Sequence, residues 1–376
     1  MSEVYITRVS GFLPHEPVLN EDMEARLGFI DGKASRARRI VLRNNGIRQR
    51  YYALDADGNS THTNADLVHE AILGLVGNGL ELKDVEVLAC GTSAPDQVLP
   101  SHASMVHGLL PRAMEVVSPS GACCSGMHAF KYGFMSVGSG ASRNAVATGS
   151  ELISPMMLAR NFEPETERFR QLESDPYIGF EKEFLRWMLS DGAAAVLLEP
   201  RPRGELDLKV EWVVARSFAH ELDVCMYAGG DKDQEGRFHG WKTFAPEEFA
   251  GRSLFSMKQD TKLLAQHIVG RGSRFLAETL QEKGIDVASV DHMLVHLSSL
   301  FFRDKVREGL IEAGVDIPLD RWFINLPEVG NVGSASIFLQ LHDLVRSGQL
   351  RKGQRILLMV PESARFSYAF SLLTVV

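Results

Sequence analysis

The chain has 376 residues, 45% hydrophobic and 23% charged, with a formal net charge of −8. That length suits two domains or one large double unit around a sizeable core. The acidic balance argues against nucleic acid as a general partner, because phosphate binding needs a basic field.

Four cysteines (Cys90, Cys123, Cys124 and Cys225) are too few for a disulfide framework, and no CxxC spacing points to zinc. No apolar run reaches the roughly 18 residues that span a bilayer. The N-terminus, Met1-Ser2-Glu3-Val4-Tyr5-Ile6, lacks the basic and apolar regions of a secretory leader. A reducing, cytoplasmic setting with no membrane contact is the expectation, with no metal and no cofactor.

In chain order, residues 4–9 read as a first strand and residues 20–45 as charged and helical. Residues 51–54 are extended and end in a turn cluster at 55–60. A helix over 65–78 and a buried strand over 85–90 follow. Then come helix 102–110, strand 114–118, helix 124–139 and strand 144–149. The alternation implies an α/β layered fold. Residues 160–189 break the rhythm and read as an inserted cap. Strand 193–198 closes the first half, and the prolines and glycine of 199–206 mark a boundary.

The second half repeats the pattern. Strand 207–216, a polar Gly-rich stretch at 229–236 and helices 255–270 and 273–283 are followed by strand 292–296. Helix 301–313, strand 322–325, helix 335–347 and strand 355–360 complete it. Two halves, 1–205 and 206–376, would face each other across a pseudo-dyad and bring two strand-to-helix turns into one cavity.

Those turns carry the chemistry. In Gly121-Ala122-Cys123-Cys124-Ser125-Gly126-Met127 a strand, a small-residue turn and a helix place a thiol at a helix N-terminus, where unpaired N–H groups favour negative charge. A buried cysteine is more often a small hydrophobe. His296 ends a buried strand, and Asn331 lies in Gly330-Asn331-Val332-Gly333-Ser334-Ala335-Ser336. Asn is also a favoured helix cap. All three polar positions sit where α/β folds place their active groups.

These motifs resemble the thiolase superfamily, in particular condensing enzymes of the β-ketoacyl-acyl-carrier-protein synthase III (KAS III) type. Asn45-Gly46-Ile47-Arg48-Gln49-Arg50 is similar to the T-G-I-x-x-R segment. Ala122-Cys123-Cys124-Ser125-Gly126 is similar to the A-A-C-x-G turn, and Ser190-Asp191-Gly192-Ala193 to the G-D-G-A strand. His296 falls in the H-x-x-N position, with Ser299 for the Asn, and Asn331 in the G-N-x-S-x-A-S position.

The resemblance implies a duplicated five-layer (αβαβα) fold with two mixed central sheets. It implies Cys124 as the nucleophile, from the C-x-G register, with His296 and Asn331 steadying the enolate of a second substrate. Backbone N–H groups of Cys124 and Ala364 would form the oxyanion hole. The family's Gly-rich C-terminal loop is replaced by Val360-Pro361-Glu362-Ser363-Ala364-Arg365-Phe366-Ser367-Tyr368, so Glu362, Arg365 and Phe366 would shape the substrate tunnel. In a homodimer Leu99, or Val98 beside it, would border the neighbour's tunnel.

A basic cluster, Arg36, Arg38, Arg39, Arg43, Arg48 and Arg50, suits an acidic acyl carrier protein or its phosphopantetheine phosphate, with Arg39, Arg43 and Arg48 as the docking residues. The partners implied are acyl thioesters on a carrier protein or coenzyme A. Within the family, residues 35–47 and the 361–368 loop look most like stand-alone ketosynthases that join two acyl chains into cyclohexanediones, precursors of dialkylresorcinols. Alternatives are acyl transfer to an alcohol or amine, fatty-acid initiation, and a non-catalytic partner subunit.

Overall fold

The computed structural model describes residues 2–35, 38–77, 79–162 and 185–376. Its centre is a ten-stranded mixed sheet. In chain order the strands are β1 (Tyr5–Phe12), β2 (Val87–Thr92), β3 (Glu115–Val117), β4 (Ala145–Glu151), β5 (Gly192–Glu199), β6 (Leu208–Ser217), β7 (His292–Val295), β8 (Trp322–Phe323), β9 (Arg355–Glu362) and β10 (Ser367–Val375). Across the sheet they run β8-β7-β9-β10-β6-β1-β5-β4-β2-β3.

That order is one five-strand pattern used twice. Parallel pairs β2–β3 and β2–β4 recur as β7–β8 and β7–β9. Antiparallel pairs β4–β5 and β5–β1 recur as β9–β10 and β10–β6. The two sets meet edge to edge, Tyr5 against Lys209 and Ile6 against Leu208. Two central sheets were expected; here that short antiparallel pairing links them into one continuous ladder.

Helices make three of the five layers. The principal ones are α1 (Arg38–Asn45), α2 (Asn64–Leu73), α3 (His102–His107), α4 (Ser125–Ser139), α5 (Thr261–Glu282), α6 (Arg303–Glu312) and α7 (Ser336–Arg346). Helices α2 and α3 cover the outer face of the first half, and α5 and α6 that of the second. Helices α4 and α7 lie between, each touching strands of both halves, in a core that includes Met127, Phe130, Ile337 and Phe338. Phe130 and Phe338 meet edge to face across the helix pair.

The central layer is tight enough to demand glycine. A Cβ on Gly126 would lie 2.4 Å from the Ser334 carbonyl oxygen, and one on Gly149 would lie 2.3 Å from the same atom.

Several boundaries differ from the sequence expectation. In place of helices 255–270 and 273–283, a short strand, Lys258–Gln259, precedes one helix, α5, whose start is set by Asp260 accepting from the Leu263 N–H at 2.9 Å. The charged 20–45 region is broken into Met23–Leu27 and Arg38–Asn45. Strand β10 was not anticipated beyond the 361–368 loop. Most of the expected cap, 163–184, lies outside the described residues. Its C-terminal end is core: Trp187 is buried, and the Arg186 guanidinium donates to the carbonyls of Met157, Leu27 and Gly28.

Asp191 pins this end down. Its buried carboxylate accepts from the N–H groups of Ala53 (2.8 Å), Ile153 (2.7 Å) and Ser154 (2.9 Å) and from the Ser154 hydroxyl. Burial pushes its pKa up while these donors pull the other way. Removing it would leave three buried N–H groups unpaired. Asp191→Ala is expected to lower stability by about 3 kcal/mol, measured by denaturant unfolding; an unchanged midpoint would contradict the assignment.

Candidate active site

The turn 121–124 delivers two adjacent thiols to different surroundings. Cys124 caps α4 and is fully buried among the central-layer side chains, its Sγ 3.4 Å from the Val360 carbonyl oxygen. Cys123 is half-buried and opens on two chambers. The C-x-G register points to Cys124; in the structure that side chain is fully buried, and its neighbour Cys123 lines the two chambers formed by the described residues.

The first chamber runs from Cys123 and His296 between α5 and α6, along Leu264, Ile268, Phe302 and Val306. The second joins Cys123 to Asn331, Glu151, Met226, Met257 and Leu185. Cys123, Ser298 and Ser363 line both.

His296 follows β7, its N–H bonded to the Met359 carbonyl at 2.9 Å. It is buried, its Nδ1 has no partner, and burial pushes its pKa down to about 4. The imidazole is therefore neutral at physiological pH. Asn331 is held through its backbone, accepting from Ser190 at 2.9 Å and donating to Met188 at 3.0 Å. Its Oδ1 accepts from the Gly333 N–H at 3.0 Å, which leaves the amide NH2 to donate.

Glu151 was not anticipated. It ends β4 and is buried in the second chamber, accepting from the Ser93 hydroxyl at 2.6 Å and the Ser334 N–H at 3.0 Å. Burial raises its pKa to about 7. A Cβ on Gly333 would lie 2.6 Å from Glu151 Oε1, so the glycine there, with φ +46°, makes room for the carboxyl. The available signal was an acidic residue at the C-terminal end of a buried strand of small residues, a usual location for function in α/β folds.

The helix N-terminus was expected to make its thiol acidic. Both thiols are instead pushed up, by burial first and by the Glu362 charge second. Glu362 also takes the turn's donors: its Oε2 accepts from the Cys124 N–H at 2.9 Å and the Ala122 N–H at 3.1 Å. The Cys124 amide, expected to serve an oxyanion hole, is thus occupied. The other expected member, Ala364, uses its carbonyl to hold the N–H groups of Cys225 and Met226.

The tunnel expectations also shift. Pro361 and Ser363 line the chambers, whereas Glu362, Arg365 and Phe366 do not. Arg365 donates to the Leu222 carbonyl at 3.1 Å, and Phe366 is buried against His267. Leu99 is 83% exposed and lines neither chamber. Of the docking arginines, Arg39 and Arg43 are exposed on α1 while Arg48 pairs with Glu328. Arg38 pairs with Glu24 at 2.6 Å, Arg50 is buried, and Arg36 lies outside the described residues. Ser299 accepts from the Phe301 N–H.

Among the described residues no group of three His, Cys, Asp or Glu side chains is placed to hold a metal, and no helix is long and apolar enough to cross a membrane.

Residues 280–365 match the family model of the 3-oxoacyl-[acyl-carrier-protein] synthase III C-terminal region. The chain is 26% identical over 365 residues to a β-ketoacyl-[acyl-carrier-protein] synthase III of Rhodopirellula baltica, covering 94% of each. It is 26% identical over 319 residues to that of Clostridium perfringens, covering 84% of each. Among solved structures it superposes on AbyA1, a tetronic acid condensing enzyme, with a TM-score of 0.74, 22% identity and 99% of each chain covered. It also superposes on OleA of Xanthomonas campestris with bound lauric acid and lauroyl-CoA, at 0.73, 17% and 99% of each. The chain is KAS III-like along nearly its whole length and has the thiolase-like α/β fold of these structures.

The raised thiol pKa gives a direct expectation. Iodoacetamide should modify Cys123 ahead of Cys124, Cys90 and Cys225, which are buried. Its rate should climb about tenfold per pH unit from 7 to 9 without levelling, because the thiol stays protonated through that range. Peptide mass mapping across pH checks both; a plateau below pH 8 would contradict the charge environment described.

Proposed function

We propose that the chain is a condensing enzyme that takes an acyl chain onto Cys123 as a thioester and joins it, through a new carbon–carbon bond, to a β-ketoacyl or malonyl-type thioester. The observation that carries this reading is the position of Cys123, shared by two chambers, one lined by His296 and the other by Asn331. One acyl chain held on the sulfur and a second approaching from the other side is the arrangement such a bond needs.

In the first step the Cys123 sulfur attacks the incoming thioester carbonyl, the carrier thiol leaves, and the cysteine proton goes to it. Thioester for thioester is a nearly balanced exchange, which suits a thiol nucleophile. The Cys123 amide, which Glu362 does not take, is the donor available to the developing oxyanion. In the second step the α-carbon of the other substrate becomes nucleophilic, by loss of a proton from a β-ketoacyl unit or of carbon dioxide from a malonyl unit. The neutral His296 and the NH2 of Asn331 donate to the enolate oxygen. The carbon attacks the Cys123 thioester, and the sulfur leaves as thiolate and is reprotonated. Glu151, balanced between its two protonation states near neutral pH, is suited to accept the α-proton.

The preferred outcome is two acyl chains joined into a cyclohexanedione, a dialkylresorcinol precursor. The OleA structure, which carries lauric acid and lauroyl-CoA, offers a precedent for two acyl groups on this fold. Glu362 is engaged by the amides of Ala122 and Cys124, which speaks against its activating an alcohol or amine acceptor. Arg39 and Arg43, exposed on α1, suit the phosphate or acidic surface of a carrier protein. Val98 and Leu99, 79% and 83% exposed, suit burial in a homodimer.

Intact-mass analysis with carrier-bound acyl groups tests the nucleophile. Cys123→Ala should carry no acyl adduct and Cys124→Ala should keep it; an adduct on Cys123→Ala would refute the assignment. Glu151→Gln should still acylate at the wild-type rate while carbon–carbon product falls by about 100-fold, measured by product mass spectrometry. An equal loss in both steps would remove Glu151 from the second.

A further inference from the structure

The Asn331 amide can serve an enolate only where its main chain is held, and residues 187–190 hold it. They pass it as a strap. The Met188 carbonyl accepts from the Asn331 N–H at 3.0 Å, and the Asn331 carbonyl accepts from the Ser190 N–H at 2.9 Å. The strap is anchored in turn at the Trp187 carbonyl, which takes two buried donors: the Asn45 amide at 3.0 Å and the Arg50 guanidinium at 3.1 Å.

Arg50 is a costly donor to place there. It is fully buried, and among the described residues no carboxylate pairs with it. Its Nη1 donates to the Asn20 side-chain oxygen at 2.7 Å, its Nη2 to Trp187, and its Nε has no partner. A planar fork laid across two neutral oxygens fixes geometry rather than balancing charge.

The same stretch grips the Asn331 turn from its other side. A Cβ on Gly330, whose φ is +77°, would lie 3.0 Å from the Arg50 Cβ and 2.8 Å from the Ser190 Cβ. The Gln49 amide donates to the Glu328 carbonyl at 3.0 Å, and the Arg48 N–H to the Pro327 carbonyl at 2.9 Å. His296 is held separately, by the Met359 carbonyl of β9.

We infer that Arg50 is a positioning residue for carbon–carbon bond formation: with the Asn45 amide it anchors the Trp187 carbonyl, so that the strap presents Asn331 to the enolate. This role rests on the reading above that Asn331 donates to that enolate, and it holds whichever thiol carries the acyl chain.

Arg50→Lys keeps the charge but has one nitrogen in place of the fork, so it cannot span Asn20 and Trp187. Asn45→Ala removes the other donor from the same carbonyl. Hydrogen exchange of the free protein, read by peptide mass, should quicken about tenfold in residues 187–191 and 326–333 of both variants. It should keep the wild-type rate in residues 292–297. With octanoyl and β-ketooctanoyl groups on a phosphopantetheinyl carrier protein, both variants should acylate at the wild-type rate while carbon–carbon product falls about tenfold. In an Asn331→Ala background, Arg50→Lys should take away nothing more.

If Arg50→Lys does not fold, Asn45→Ala carries the same readings. Wild-type exchange in residues 187–191 and 326–333 overturns the inference, as does an equal fall in acylation or a further product loss in the Asn331→Ala background. Wild-type product from Asn331→Ala alone would instead overturn the role given to Asn331, and exchange would then judge the anchor by itself.

Discussion

Everything near the cavity depends on how closely the two halves approach through α4 and α7. The Ser334 carbonyl presses on Gly126 and Gly149, where any side chain would collide. The Ser334 hydroxyl donates to the carbonyls of Gly91 and Ser150 and accepts from the Ser150 N–H at 3.1 Å. These contacts join strands of the first half to the start of α7 in the second. They set the Cys123 turn and the Asn331 turn at one cavity, and they place the Ser334 N–H on Glu151. The small residues are there because backbone must meet backbone, as close-packed layers require.

The cavity so formed is nearly uncharged at rest. Burial keeps His296 neutral and holds both thiols protonated, and Glu151 is poised between forms. Desolvation has the same sense for all of them, penalising the charged state. Such a site does not store a thiolate. Its donors are aimed where charge develops during reaction, which is the economical use of a low-dielectric enclosure. Glu362 keeps its place beside this site because two N–H groups take up its charge.

The two chambers differ in their walls. The first is walled mainly by α5 and α6, where Leu264, Ile268 and Val306 offer only hydrocarbon. The other carries Ser93, Glu151, Gln259 and Asn331. The sulfur of Cys123 stands where they join.

Local pattern in the sequence was enough for the α/β alternation, the repeated five-strand grammar and the placing of His296 at a strand end and Asn331 in the turn before α7. Strand periodicity and small-residue turns are short-range properties, and they sit in the chain where they act. Boundaries failed where a contact overrode the pattern, as at β10, which exists because β9 and β6 flank it. The choice between Cys123 and Cys124 was beyond the chain pattern, since both occupy one turn and differ only in which way the backbone faces. The backbone there is held by a carboxylate 238 positions away from Cys124 in the chain, which accepts from its N–H. The role of Glu151 and the direction of every pKa shift were likewise set by burial and by partners from distant segments, quantities that exist only once the two halves have closed on each other.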